Sequence, residues 1–506
     1  MSQKLFGKTL VKGFMGLFLA ISLFTLNLSG QSAVNAASKP DISKQVELKW
    51  YVIGSGQQTD TQLVEKEVNK YLKDKINATL KLNTLMWGDD FENKMAVLIA
   101  AGERFDITFT ANWALNYRRF ASIGAFKDIT GMMDTYAPKT KALLGENILK
   151  GAEVNGKVFA IPVYNANISE YQGILLSKKL VKKYNVDTSK IKKLEDLEAA
   201  FRKIKAKEPK IIDFYPFDQF GSYGILNALN YDNIDDIYTP ACVKRDGKST
   251  NVINPYETPE AKALFNLMNK WYKSGFISKS ATADSSYFDS NASNTFAFFA
   301  KLYPTKCNNL LESKGLDLIP ISLNKPSLTT QGVTACMQAI SQTSENPERA
   351  LMFLELVNTD EKLSNMINYG IEGVHYKKTG EKTISLISPT HEKYSPSTSL
   401  LFGNTFIAYS FKGSPVISEN TAKEYFKSAV PSPLLGFSFN SEPVVEQKMK
   451  LDSIVQKYYS NLCLGKINAS VNLPEMNKEL KNAGLQKVLT EMQKQVNDFV
   501  AASKKK

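Results

Sequence analysis

The stretch VELKWYVIGSGQQTDTQLVEKEVNKYLKDK, Val46 to Lys75, changes its period at the glycines, and that change decides the fold. Before the turn, Leu48, Trp50 and Val52 alternate as on a strand; after it, Leu63, Val64, Val68, Tyr71 and Leu72 line one face of a helix. A strand, a glycine turn and a helix open an α/β unit. A second unit follows at once: ATLKLNTLMW (Ala78 to Trp87) reads as a strand, Asp89 or Asp90 caps the helix FENKMAVLIAAG, and Gly102 closes it. DITFTANW, Asp106 to Trp113, is a third strand with its exit loop. Strands alternating with helices predict a mainly parallel sheet covered on both faces. Ligands of such sheets lie outside the carboxyl ends of the strands, here Ser55 to Gln58 with Gln57 among them, Trp87, and Asn112 with Trp113.

Further on, Asn155-Gly156 turns a hairpin between short apolar runs, and Pro162 ends the second run before a polar segment that crosses to another part of the molecule. Residues 194–217 and the helix PYETPEAKALFNLMNKWYKSGF (Pro255 to Phe276) read as a second α/β lobe. NTFAFFAKLYPTK and GLDLIPISL read as strands returning to the first lobe, and GVTACMQAIS as a strand leaving it. The expected division is therefore 45–165 with 287–330 for the first lobe, and 166–286 with 331–506 for the second. The last helix, AGLQKVLTEMQKQVNDFV, keeps Leu485, Val488, Leu489, Met492, Val496 and Phe499 on one stripe, as a packed lobe helix does.

Ahead of the first strand, Lys4, Lys8 and Lys12 precede GFMGLFLAISLFTLNL, about 16 apolar-type residues against the ~20 of a membrane span. This reads as an export signal over residues 1–36, with Val34-Asn35-Ala36 presenting small residues to a signal peptidase, a mature start near Ala37 and a polar linker over 37–44. LSG at Leu28 to Gly30 is similar to the recognition box of bacterial lipoprotein signals, but Gln31 stands where such a box has its cysteine, and a thioether to lipid needs sulfur. The formal charge of +13 falls to +10 without the three signal lysines, which suits an anionic cell envelope. The lysines lie beside glutamates on amphipathic helices such as KKLEDLEAAFRKIKAKEPK, so no nucleic-acid partner is expected.

Cys242, Cys307, Cys336 and Cys463 form no CxxC or Cys/His cluster, so no zinc site and at most one disulfide are expected. Two histidines, His375 and His391, leave little material for haem, a metal or a serine triad, and no GxxxxGK[ST] supports ATP hydrolysis by this chain. No cofactor is expected.

GKVFAIP (Gly156 to Pro162), DITFTANW with SIGAFKDIT, and SQTSENPERALMFLELVNT resemble the extracellular solute-binding proteins of family 1 that serve ABC sugar importers. YGIEGVHY (Tyr369 to Tyr376), GFSFNSEPV (Gly436 to Val444) and AGLQKVLTEMQKQ are similar to the large lipoprotein-like branch of that family, whose C-terminal domain has no assigned function. The resemblance implies an α/β fold of the two-lobed periplasmic-binding-protein type (type II) with a helical C-terminal extension. It further implies closure of the lobes on a ligand and its delivery to a permease pair energised by a separate ATPase; a monomer is expected. Gln31 departs from the usual lipid tether.

A sugar offers hydroxyls and patches of weakly polar C–H, so its receptor needs aromatic faces and planar polar side chains. Trp113, beside Asn112 in a loop where the resemblance places ligand contacts, fits the first need, and Trp87 is a weaker instance; Trp50 and Trp271 read as core. Tyr164, Asn165 and Asn167 follow the first crossing, although turn chemistry alone also explains the asparagines. Asp218 and Gln219 follow a second-lobe strand, where the carboxylate binds vicinal hydroxyls or else caps a helix. Glu372 and His375 are candidates for the cleft or hinge, between Gly370 and Gly373 that suggest positive φ; Asn404 and Phe406 complete the set.

The expected function is capture of an oligosaccharide without chemistry. Two other readings stay open. The same lobes suit a receptor for a peptide or another small solute; a peptide site wants fixed charges for the termini, and only Arg118 and Arg119 stand at the candidate loops. An enzyme needs two carboxylates such as Glu372 and Asp218 flanking a glycosidic bond, or a nucleophile, for which Cys307 or Cys336 is the choice.

Overall fold

The computed structural model describes residues 40–219, 221, 224–303, 315–397, 401–414 and 416–503; the expected export signal, its cleavage position, Gln31 and Cys307 lie outside them. The chain from Pro40 onward is one compact unit with two large hydrophobic cores.

The first core is built on β1 (Val46–Gly54), α1 (Thr61–Ile76), β2 (Ala78–Met86), α2 (Asp89–Ala100) and β3 (Ile107–Thr110). β1 runs parallel to β2 from Val46 against Ala78 to Gly54 against Met86, and parallel to β3 on its other side. Leu48, Trp50 and Val52 point into the core as their spacing requires. Trp50 packs edge-on against Phe353 and Phe402 at 5.3 and 5.4 Å, and its Nε1 donates to Gln338 Oε1 at 2.8 Å. On α1 the buried stripe is Val64, Val68, Leu72 and Ile76, whereas Leu63 faces solvent. Glu65 is buried instead because its carboxylate accepts the Leu82 N–H of β2 at 2.7 Å. Asp89 and Asp90 sit in the first turn of α2 rather than capping it; the cap position is Gly88 at φ 82°, and Asp90 Oδ2 accepts the Met86 N–H at 2.9 Å. The Asn155-Gly156 hairpin forms as expected, with both residues at positive φ between paired Glu153–Val154 and Lys157–Val158.

After β4 (Ala160–Pro162) the chain crosses to the second core, whose central strand is β5 (Ser169–Ser177). There β6 (Ile212–Tyr215) lies parallel to β7 (Thr295–Leu302), β7 is antiparallel to β5, and β8 (Leu318–Ser322) pairs antiparallel with β5 as well. Trp271 is buried among Phe201 and Phe214, its Nε1 donating to Glu198 Oε1 at 2.9 Å.

The division between lobes differs from the expected one. β7 and β8 do not return to the first lobe: the run Phe296 to Ala300 is buried in the second sheet, where Phe299 lies against Ile174 and Ala297 against both Leu176 and Phe214. The second crossing runs through β9 (Ser327–Leu328) and the short α3 (Thr330–Val333) into the first lobe. There β10 (Met337–Ile340) inserts between β3 and β4, antiparallel to both, so the first sheet has the order β2-β1-β3-β10-β4. Pro347–Thr359 and, further on, Leu363, Ile367, Phe402, Ala422 and Ala429 stay with the first core. A third crossing passes through β11 (Val430–Pro431), which pairs with β9. Beyond it α4 (Val445–Cys463), α5 (Ala469–Asn482) and α6 (Leu485–Ser503) pack into the second core through Val455, Tyr459, Leu473, Met476, Val488, Met492 and Val496.

Strand direction places the cleft. Met337, just past the second crossing, pairs with Thr110 at the end of β3; Tyr171, just past the first, pairs with Leu302 at the end of β7. The carboxyl ends of β1 to β3 and of β6 and β7 therefore open toward the crossings from opposite sides. Among the described residues no helix is long and apolar enough to cross a membrane.

Candidate ligand cleft

At the first-lobe rim, Met86, Trp87 and Trp113 are 61%, 47% and 52% exposed, an unusual concentration of large apolar side chains facing solvent. The Trp87 and Trp113 rings stack with centroids 6.1 Å apart and planes 21° from parallel, and Trp113 leans on buried Phe109 at 5.6 Å. The Trp113 indole N–H donates to the Ala335 carbonyl at 2.7 Å, while Asn112 N donates to Thr334 O at 2.9 Å and Asn112 Nδ2 to Gln331 O at 3.2 Å. Both residues are thus bolted to the second crossing. Leu115, strained at φ 41°, reverses the loop, its N–H held by Glu92 Oε1 at 2.6 Å. Ser55 N donates to Pro396 O at 2.9 Å, and a Cβ on the adjacent Gly54 would stand 1.9 Å from that oxygen, which is why the strand ends on glycine.

At the second-lobe rim, Asp218 and Gln219 follow β6; Asp218 is buried, and the buried Gln219 Oε1 has no hydrogen-bond partner among the described residues. Close by, Tyr215 stacks on Tyr287 at 5.4 Å, and the buried Tyr287 hydroxyl is likewise unpartnered among the described residues. Tyr287 was not legible as a site residue; its one sequence signal is the Asp284 cap that starts its helix next to β6. Gln331 was missed too. Its amide Nε2 donates across to the Asp235 carbonyl of the second lobe.

Several expected site residues do other work. Tyr164 is 1% exposed, wedged between Phe406 and Phe426 at 5.5 and 5.0 Å. Asn165 is buried, its Oδ1 accepting the Asn167 N–H at 2.8 Å, and buried Asn404 donates to Glu419 Oε2 at 2.9 Å while accepting the Phe406 N–H at 3.0 Å. Tyr164 stitches the first crossing to residues 404–426, its carbonyl accepting the Thr405 N–H at 3.0 Å. His375 is fully buried: Nδ1 accepts the Ile371 N–H at 3.0 Å, which leaves the proton on Nε2, 3.3 Å from Asp60 Oδ2. Glu372 is exposed on the turn before Tyr376, which belongs to a small satellite cluster with Ile384 and Tyr409 rather than to the tryptophan rim. Gly370 and Gly373 adopt positive φ as expected. Gln57 is exposed, yet its amide closes the outer edge of β2, accepting the Thr84 N–H at 3.2 Å and donating to Leu82 O at 3.4 Å.

Burial pushes the Cys336 and Cys463 thiols up to about 12 and the Cys242 thiol up as well; all three are free and buried, so none offers a thiolate near neutrality. Arg118 spends its guanidinium on the Gly436 and Gly151 carbonyls at 3.2 and 3.4 Å, and burial lowers it to about 10. Among the described residues no group of three or more His, Cys, Asp or Glu side chains is placed to hold a metal.

A two-lobed receptor with a cleft at the strand ends is what this geometry defines. Residues 54–304 match the family Bacterial extracellular solute-binding protein, and residues 433–501 match Domain of unknown function DUF3502. Through residues 54–304 the chain is similar to that family of extracellular solute-binding proteins. A carbohydrate ABC transporter substrate-binding protein of Streptococcus pneumoniae is 29% identical over 493 residues, covering 94% of this chain and 95% of the relative. The crystal structure of an N-glycan transport solute binding protein from the same organism superposes with a TM-score of 0.79 at 28% identity, over 90% of this chain and 99% of that one. The same protein in complex with Man5GlcNAc gives 0.65 at 28% identity, over 91% and 99%.

Proposed function

We propose that the protein is the extracellular receptor of an ABC importer, capturing an oligosaccharide between its lobes and handing it to a membrane permease. The observation that carries this reading is the exposed Trp87–Trp113 pair, fixed to the crossing at the carboxyl ends of β2 and β3. An indole face matches the C–H patches of a pyranose ring, and a pair of them offers an extended surface, as a chain of sugars requires. Gln219 and Asp218 stand at the opposite rim to take hydroxyls. The N-glycan named for the pneumococcal relative's complexes makes mannose-containing N-glycans the first ligands to try.

A peptide receptor is disfavoured because Arg118 is committed to backbone carbonyls. A receptor without chemistry is favoured over a cysteine-dependent enzyme by the burial of Cys336. In this reading the chain is exported, cut near Ala37, not lipidated at Gln31, and works as a monomer. Thermal-shift and calorimetric titration with Man5GlcNAc and a panel of unrelated oligosaccharides tests the function. A ligand at ~100 times its dissociation constant stabilises the fold by about 2.7 kcal/mol. Release of new sugar ends during incubation, or binding of peptides in preference to every sugar, would overturn it.

A further inference from the structure

The C-terminal domain of unknown function packs behind the second-lobe rim and is wired to it at three points along residues 224–239. Tyr459 Oη on α4 accepts the Gly224 N–H at 3.0 Å and is 3.4 Å from Asn227 Nδ2, which donates to it. Thr239 Oγ1 donates to Asp452 Oδ1 at 2.9 Å. Lys448 Nζ lies 3.0 Å from Asp235 Oδ2 and 2.7 Å from Asp452 Oδ2, and its side chain is only 16% exposed. The same Asp235 offers its carbonyl to Gln331 Nε2. Gln331 belongs to α3, the turn whose own carbonyl holds Asn112, and the crossing continues to Ala335, which holds the Trp113 indole. The start of the C-terminal domain grips this turn as well: Thr330 Oγ1 donates to Leu434 O at 3.1 Å and accepts the Gly436 N–H at 2.9 Å. One unbroken series of polar contacts therefore runs from α4 through Lys448, Asp235 and Gln331 to the seat of Trp113.

We propose that the C-terminal helical domain is a working part of the ligand clamp, setting the angle between the second lobe and the tryptophan rim, with Lys448 and Gln331 as its positioning residues. α3 is anchored in the first core, where Val333 is buried, whereas Asp235 follows Ile234 of the second core. The Gln331–Asp235 contact thus joins two bodies that otherwise meet along the crossings. Lys448 fixes its far end by pinning Asp235 between α4 and the rim. The geometry is independent of which ligand binds; only the affinity readout rests on the oligosaccharide reading.

The test uses the mature chain with Cys307→Ser, spin-labelled at Val97→Cys in the first lobe and Val471→Cys in the second, positions 63% and 61% exposed. Interlobe distances are measured by double electron–electron resonance without ligand and with Man5GlcNAc. Gln331→Met, which keeps the length and removes the amide, is expected to broaden or shift the ligand-free distance distribution. It should change glycan affinity by about 3- to 10-fold, the scale of one hydrogen bond, with little change in melting temperature. Lys448→Met should do the same and, because both act on one contact series, the double variant should fall well short of the product of the single effects. Distance distributions identical to the parent in both variants would overturn the proposal, as would a lowered melting temperature with unchanged distances and affinity, or strictly multiplicative effects. If the parent binds no glycan, the oligosaccharide reading falls, while the ligand-free distances still decide the clamp.

Discussion

Replacing Trp113 by alanine separates two energies that the structure assigns to two halves of one side chain. With 52% of the residue exposed, about half of its surface already rests on Phe109, Trp87 and the crossing. A tryptophan carries roughly 200 Å² of apolar surface, so each half is about 100 Å² and worth about 2.5 kcal/mol at ~25 cal/mol per Å². The packed half, with the loss of the indole bond to Ala335, sets a folding cost of about 3–4 kcal/mol, toward the lower end of the ~3–5 kcal/mol of a fully buried tryptophan. The open half is what a sugar ring would cover, and its loss should weaken binding by about 2.5 kcal/mol, roughly 70-fold. Trp113→Phe keeps a stacking face without the N–H, so it should retain most of the affinity while losing about 1 kcal/mol of stability. Isothermal titration calorimetry on the folded variants, with melts on the same samples, reads both quantities. A Trp113→Ala protein that melts cooperatively and binds within twofold of the parent would refute the stacking argument.

Three other outcomes are expected. Small-angle scattering should give a smaller radius of gyration when a tight glycan bridges the rims, and an unchanged value for a ligand shown by calorimetry to bind would count against closure. Burial pushes the Asp213 carboxyl up to about 6 although Lys205 Nζ is 2.9 Å away, so the folded state holds a proton that the unfolded chain has released above about pH 4. Its contribution is full below that pH and lost as pH rises through about 6; Asp213→Asn should flatten the stability profile over this window, and an identical slope in melts at pH 4 to 7 would contradict it. Intact-mass analysis of the protein from its native host should show a start near Ala37 without a diacylglycerol adduct, and a lipid mass would reject that maturation.

What the sequence made legible was local. The period change at Gly54 to Gly56, the Asn155-Gly156 hairpin, the core placement of Trp50 and Trp271 and the apolar stripe of α6 are each written in the spacing of residues a few positions apart, and each appears as read. The lobe assignment of β7 and β8 failed because an all-apolar strand such as FAFFA suits either sheet; only pairing with Ile174 and Leu176, more than a hundred residues earlier, settles it. In the cleft, Trp87 and Trp113 were visible because a tryptophan just past a strand end has nothing local to bury it. Tyr164, Asn165 and Asn404 gave the same impression, but Phe406 and Phe426 arrive from far along the chain to enclose Tyr164, while the asparagines serve the Asn167 and Phe406 N–H groups and Glu419. His375 finds Asp60 in the same way, across 315 positions. Polar side chains near a crossing therefore mark the crossing before they mark a ligand.

The triple passage of the chain between its lobes also orders its biosynthesis. The first sheet stays open until β10 fills the gap between β3 and β4, and its core still lacks Leu435 when residue 400 has emerged. The second core waits longer, for Val488, Met492 and Val496 of the last helix. No contiguous fragment contains either lobe whole without most of the other, so the usual sequence of an amino-terminal domain folding while the rest is still being made is closed to this protein. Long-range pairings dominate, which slows folding. The nascent chain consequently spends nearly all of its synthesis without a finished core, and the second lobe is completed only by the last helix.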